Sequence, residues 1–281
     1  MDLKPFPHET KNNLFDTKLW DKIENYWPGK NTFSTYADGH NRKKKDSGRF
    51  GFYIIGYASK SSLSKLNKVE RIFWKNFANN KLKEEIINSF YHYLPWIRNR
   101  YKNNINKLSL QTFAVLVYAN KTLNIKIHTE NPANLFSGLI YYNNGMHEMS
   151  GTSIYQHKQN NFHDPGVRFL ERDDFVKVKT IPYKSNTMFS FLKTDNSFHG
   201  VEKINLTKKQ DRLSINWHVR LTNECIREIY GIKDYKNFAR SDGAHIIKIM
   251  TELKQQRQLK LDFSKPSKFE QSLILKSFDS L

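Results

Sequence analysis

The stretch LSLQTFAVLVYANKTLNIKIHTENPANLFSGLIYYNN, Leu108–Asn144, decides the fold. Its apolar runs are short, rich in β-branched and aromatic residues, and broken by Asn, Lys and Pro, the texture of strands separated by turns. It reads as three strands, Thr112–Ala119, Leu123–Thr129 and Leu135–Tyr142. The same texture continues through Thr152–Gln156, Phe175–Ile181, Thr187–Lys193, His199–Ile204 and Arg212–Leu221. Eight strands over residues 112–221 with no helix among them predict a two-sheet jelly roll, the double-stranded β-helix.

Outward from this core the sequence turns helical on both sides. Between Val69 and Tyr101, apolar residues such as Ile86, Ile87, Phe90 and Leu94 recur near a 3.6-residue period, and Pro95 is expected to end or kink that helix. Residues 1–60 show no clear pattern, with Pro5, Pro7, Pro28 and Gly29 interrupting any long element. Residues 223–281 read as a helical extension, clearest at Ala244–Leu259, behind a main domain at 1–222. The expected class is therefore mainly β, with a jelly-roll core packed by an N-terminal helix and a helical C-terminal extension.

The 281 residues carry a formal charge of +19, which on its own would point to nucleic acid or an acidic membrane. Two features argue otherwise. Only 12 of the 46 basic residues are Arg, whose planar fork dominates phosphate and base recognition. The abundance of Lys, Asn and Ile also fits an AT-rich coding bias, and the densest basic run, Arg42–Lys45, lies in a Gly/Asp/Ser-rich loop. Nucleic-acid binding is thus kept only as a minority reading. The single cysteine, Cys225, allows no internal disulfide and no cysteine-rich zinc site. The charged start with two prolines is unlike a secretory leader, and the most apolar run, Phe113–Ala119, is too short to span a bilayer. A cytoplasmic chain without a membrane partner is expected.

The chemistry gathers at the end of the second strand. Residues two apart on a strand share a face, about 6.6–6.8 Å along it, so His128 and Glu130 are expected to converge on one ion. His199 starts a late strand, which a jelly roll returns beside the second one. Together the three suit a 2-His-1-carboxylate face, which leaves coordination positions open on Fe(II). Arg212 and, on the same face, Ser214 suit a carboxylate: a guanidinium binds it in bidentate fashion and a hydroxyl adds a third bond.

The segments IHTENPANLFSGLIYYNN (Ile127–Asn144) and GTSIY (Gly151–Tyr155), then NTMFSFLKTDNSFHGVEKI (Asn186–Ile204) and DRLSINWHV (Asp211–Val219), resemble the 2-oxoglutarate/Fe(II)-dependent oxygenase superfamily, closest to its prolyl-4-hydroxylase-like branch. The resemblance spans Leu108–Leu221. It implies that His128, Glu130 and His199 hold Fe(II), and that Arg212 and Ser214 grip 2-oxoglutarate. It further implies that Tyr118 contacts the cosubstrate, and that O2 drives hydroxylation with release of succinate and CO2. Glu130 stands where the family usually has Asp; its extra methylene, about 1.5 Å long, calls for a bent rotamer or a small strand shift. A carboxylate there argues against halogenation, which needs that position vacant.

Two rivals stay open: a cupin-like metal dioxygenase or isomerase without 2-oxoglutarate, which needs no dicarboxylate clamp, and a basic nucleic-acid-binding protein with an inactive core. Gln156–Asp174, with His157, His163, Arg168 and Arg172, and nearby His147, reads equally as a lid carrying substrate contacts or as an ordinary exposed loop. His218 shares the face of Arg212 and reads as a structural histidine; His8, His40, His92 and His245 have no partner pattern.

Overall fold

The computed structural model describes residues 1–35, 48–120, 123–143, 145–166, 169–206, 210–232, 243–255 and 261–279. In chain order it contains β1 (His8–Lys11), α1 (Thr17–Asn25), β2 (Ser34–Thr35), β3 (Arg49–Ile55), α2 (Ser59–Leu63), α3 (Lys68–Phe77) and α4 (Lys83–Tyr101). The strands β4 (Leu110–Ala119), β5 (Leu123–His128), β6 (Asn134–Tyr142), β7 (Thr152–His157), β8 (Phe175–Ile181), β9 (Thr187–Leu192), β10 (His199–Ile204) and β11 (Arg212–Leu221) follow. Three helices close the chain: α5 (Asn223–Tyr230), α6 (Gly243–Gln255) and α7 (Lys268–Lys276).

The eight expected strands are β4 to β11. They divide between a large sheet, β1-β9-β6-β11-β4-β3-β2, and a small one, β5-β10-β7-β8, both antiparallel. From β4 to β11, chain-neighbouring strands lie in opposite sheets at every step but β7 to β8, so the hydrogen-bonded strand order itself defines a jelly roll. The sequence reading did not find β1, β2 and β3, which widen the large sheet at its two edges.

Alternation sorts β11 cleanly. Leu213, Ile215, Trp217 and Val219 face outward; Arg212, Ser214, Asn216 and His218 face the space between the sheets. The outward set joins Leu116, Phe136 and Ile140 under a helical layer of α3 and α4, where Trp74, Phe90 and Tyr93 are fully buried. Trp217 fits because its partner across the ladder is Gly138; a β-carbon there would sit 2.1 Å from the indole. Each such buried aromatic contributes about 1.5–3 kcal/mol of transfer free energy. The inner core is smaller, built from Tyr141, Ile154, Ile181, Tyr183, Phe189 and Phe191.

Pro95 does not end α4, which runs on through it to Tyr101 after a π-helical turn at Ala78–Leu82. The C-terminal helices pack on this layer. Arg98 of α4 forks onto Glu270 of α7, Nε to Oε1 at 2.7 Å and Nη2 to Oε2 at 2.8 Å, and Thr112 of β4 meets Ser277 at 2.6 Å. Helix α6 ends at Gln255 in the described chain, so the expected continuation to Leu259 lies outside the described residues, as does the basic run Arg42–Lys45. Among the described residues no helix is long and apolar enough to cross a membrane.

Candidate metal centre

Strand β5 is an edge strand of the small sheet and pairs with β10 so that His128 and His199 are direct neighbours across the ladder. Their ring centroids are 4.4 Å apart. Glu130 Oε1 lies 3.4 Å from His199 Nε2 and 3.8 Å from His128 Nε2, and one ligand atom from each residue falls within 4.8 Å of the others. With metal bonds of about 2.0–2.2 Å, adjacent donors of a facial triad sit about 3 Å apart, so a small contraction closes this set on one ion.

The route by which Glu130 gets there differs from the strand argument. Strand β5 ends at His128, and Glu130 has φ +72°, in the left-handed region that side chains rarely adopt. Convergence comes from a turn of the backbone after Thr129, not from the pleat.

Both rings are held in one tautomer. His128 Nδ1 donates to Lys126 O at 2.9 Å and His199 Nδ1 to Ser197 O at 2.8 Å; a carbonyl can only accept, so each Nε2 is left to face Glu130. Burial works against ionisation of Glu130, yet the adjoining His128 and His199 rings hold its carboxyl well below the usual carboxylate range. Burial, then the neighbouring His128, pushes His199 below its ordinary value, which favours a neutral ring with a lone pair on Nε2. Imidazole lone pairs and a carboxylate facing one point are mutually repulsive until a cation joins them, and this donor set fits a divalent metal.

Around the triad, Asn134 Nδ2 donates to Glu130 Oε2 at 3.2 Å, and Phe169 packs on His128 with centroids 5.3 Å apart. His218 lies on the inner face with Nδ1 2.8 Å from Ser137 Oγ, and burial lowers its pKa.

Further along β11, Arg212 is buried between the rings of Tyr141 and Tyr183, its guanidinium carbon 5.5 and 5.2 Å from their centroids. Its Nε donates to Ser150 O at 3.1 Å, while Nη2 is buried with no hydrogen-bond partner among the described residues. An orphaned guanidinium donor inside a jelly roll fits a carboxylate ligand. Ser214 Oγ donates to Asn216 Oδ1 at 2.7 Å; a turn of the Asn216 amide would let the hydroxyl donate elsewhere. Arg49 is in register with Ala119, which is in register with Arg212, so a second guanidinium shares this face, and its charge adds to the burial that lowers the Arg212 pKa.

Tyr118 needs correction. It stands opposite Leu213, on the outward face, where its ring stacks on Phe50 at 4.7 Å and meets Phe33 edge-on at 5.0 Å. Pleat parity points it away from Arg212. Tyr141, opposite Ser214 on the inner face, is the tyrosine beside the guanidinium, and Tyr183 arrives from the loop before β9. Parity could have found Tyr141 once β6 was paired with β11; nothing local marks Tyr183.

The covering segment is more structural than a free loop. Arg172 bonds to Tyr155 Oη, Asn124 Oδ1 and Val201 O, so its donors are spent inside the protein. His157 stacks on Phe162 at 3.9 Å, His163 pairs with Asp195 at 2.8 Å, and exposed His147 accepts from Met149 N. Arg168 lies outside the described residues. Among the histidines without an expected partner, His8 is fully buried and bonds Phe6 O.

No protein-family profile and no curated protein matches the sequence. Among solved structures the chain is similar to a prolyl hydroxylase from Trichoplax adhaerens in complex with a hypoxia-inducible-factor peptide. That likeness has 12% identity and a TM-score of 0.47, over 78% of this chain and 85% of that one. It is similar to a prolyl-4-hydroxylase from Pseudomonas putida at 9% identity and TM-score 0.39, over 78% and 95% of the two chains. It is similar also to HygX from Streptomyces hygroscopicus, with nickel and 2-oxoglutarate bound, at 12% identity and TM-score 0.40, over 77% and 83%. The jelly roll itself is defined by the chain's own strand order.

Proposed function

We propose that the chain is a 2-oxoglutarate- and Fe(II)-dependent dioxygenase that hydroxylates a small-molecule or peptide substrate. Residues 1–222 are the oxygenase unit in this reading, and 223–281 a helical extension that buttresses it. The observation that carries the reading is the pairing of one cation-demanding triad, His128, Glu130 and His199, with one anion-demanding guanidinium, Arg212, inside the same jelly roll. A cupin-like enzyme without a dicarboxylate has no use for the second.

When bound, Fe(II) with 2-oxoglutarate supplies the oxidation of substrate by O2, giving succinate and CO2 as coproducts. The protein's part is positional and electrostatic. His128 and His199 present Nε2 because backbone carbonyls hold Nδ1–H. Glu130 contributes the negative charge, steadied by Asn134. Arg212, with Ser214 beside it, receives the far carboxylate, and Tyr141 and Tyr183 keep water from the guanidinium.

The test is succinate formation from 2-oxoglutarate with and without Fe(II), which needs no knowledge of the substrate. The expected result is iron-dependent succinate, abolished in His199→Ala and recovered in Arg212→Ala only at high 2-oxoglutarate. Absence of both turnover and anaerobic binding of metal or 2-oxoglutarate would refute the reading.

A further inference from the structure

Glu130 occupies a backbone conformation that costs on its own, and the chain behind it is built to hold it there. Thr129, the residue between the two ligands of the turn, is fully buried. Its hydroxyl donates to Asp164 O at 2.9 Å and accepts from Lys193 Nζ at 2.7 Å. Lys193 is itself fully buried, and its ammonium group also reaches Thr194 O at 3.2 Å. Asp164 is tied in turn: its N–H donates to Asp195 O at 2.8 Å and its Oδ1 accepts from Gly166 N at 2.7 Å. Gly166, at φ +96°, lies so flat on the turn that a β-carbon would stand 1.5 Å from Glu130 O. On the other side, Ser197 Oγ lies 3.3 Å from Thr129 O, and Ser197 O is the acceptor that orients His199.

From this knot we infer that Thr129 and Lys193 are positioning residues for the metal: they fix residue 130 in its left-handed turn and thereby deliver a glutamate carboxylate to the two imidazoles. The inference rests on the metal-centre reading above and adds to it two residues that touch neither metal nor cosubstrate. It follows from geometry. Had the strand continued, Glu130 would follow the pleat; the turn brings it back toward Nε2 of His199, and the knot is what keeps the turn. The segment around Asp164 and Gly166 is the turn's back wall rather than a gate.

A merely structural role would lower stability and leave the folded site alone, so the measurement is metal affinity and ligand field, not activity. Mn(II) titration followed by electron paramagnetic resonance and the visible spectrum of the Co(II)-loaded protein serve as readouts. They are compared for wild type, Thr129→Val, Thr129→Ser and Lys193→Met, with thermal unfolding of each metal-free protein alongside. Thr129→Val and Lys193→Met are expected to weaken Mn(II) binding at least about tenfold and to change the Co(II) spectrum. Thr129→Ser, which keeps the hydroxyl, should retain both. Wild-type affinity and an unchanged spectrum in folded Thr129→Val would overturn the inference, and that variant decides alone if Lys193→Met does not fold. Failure of the metal-centre reading looks different: wild type binds no Mn(II), or His199→Ala binds it equally well, and the inference falls with it.

Discussion

Of the buried cations, Lys193 and Arg212 flank the candidate site, and the protein treats them in opposite ways. Lys193, behind the metal turn, has its hydrogen bonds met by the chain itself, at Thr129 and Thr194. Burial lowers its pKa to about 7, so it can shed its charge. Arg212, between the two tyrosines, is also pushed down by burial, but a guanidinium does not deprotonate in a protein, and one of its donors has no partner among the described residues. On the proposed reading the satisfied lysine belongs to the scaffold and Arg212 to the cosubstrate. The two ends of the site differ accordingly, one preassembled by internal bonds and the other completed from outside.

The strongest way to break this contrast is Arg212→Met. If the guanidinium serves a ligand, 2-oxoglutarate affinity should fall by about 2–5 kcal/mol, the usual loss when one partner of a buried charge pair is truncated. Stability of the ligand-free protein should hold or rise, because an uncompensated buried charge has gone. Calorimetry with Mn(II) under anaerobic conditions and thermal unfolding measure the two. A large loss of ligand-free stability would make Arg212 a scaffold cation like Lys193.

The second test sharpens the Lys193 side through pH. Its pKa is about 7 folded against 10.5 for an unperturbed lysine, so between these values the unfolded chain binds more protons than the folded one. Stability from the neutral amine is fully present above 10.5 and is lost as pH falls toward 7, by up to about 1.4 kcal/mol per pH unit. Unfolding of metal-free wild type should therefore show this slope relative to Lys193→Met, which lacks the titrating group. Parallel profiles would mean that Lys193 stays charged and paired with Asp164 and Asp195.

Ser214→Ala is the smallest change. Loss of one hydroxyl bond to a carboxylate, about 1.5–3 kcal/mol, should weaken 2-oxoglutarate binding roughly ten- to a hundredfold and leave Mn(II) affinity unchanged. No effect on the cosubstrate would restrict Ser214 to its bond with Asn216.

The jelly roll was legible because its strands carry local signals: β8, β10 and β11 begin and end where composition changes. The edge strands β1 and β2 were not, since a polar four-residue and a two-residue segment become strands only through the neighbours that accept them. Helix α4 survives Pro95 because burial of Tyr93, Leu94, Trp96 and Ile97 against the sheet outweighs one missing hydrogen bond. At the site, residue types and spacing point to the same three side chains that the structure brings together, but Glu130 arrives by a backbone turn rather than by strand alternation. A left-handed turn at a non-glycine residue leaves no mark in sequence when the contacts holding it, from Lys193 and Gly166, are far along the chain. Tyr118 misled for the same kind of reason, since register across a ladder decides which way a strand residue faces.

One pairing also sets a schedule for the chain's assembly. Strand β1 docks on β9 with His8 opposite Phe191, a separation of 183 residues (191 − 8), so the large sheet cannot complete that edge early in synthesis. At roughly 5–20 residues per second, β1 waits on the order of ten seconds or more before its partner exists. Over that interval the apolar face of Phe6 has nothing to cover it, and the nascent chain must stay soluble by other means; its surplus of lysines offers one, as self-repulsion between chains.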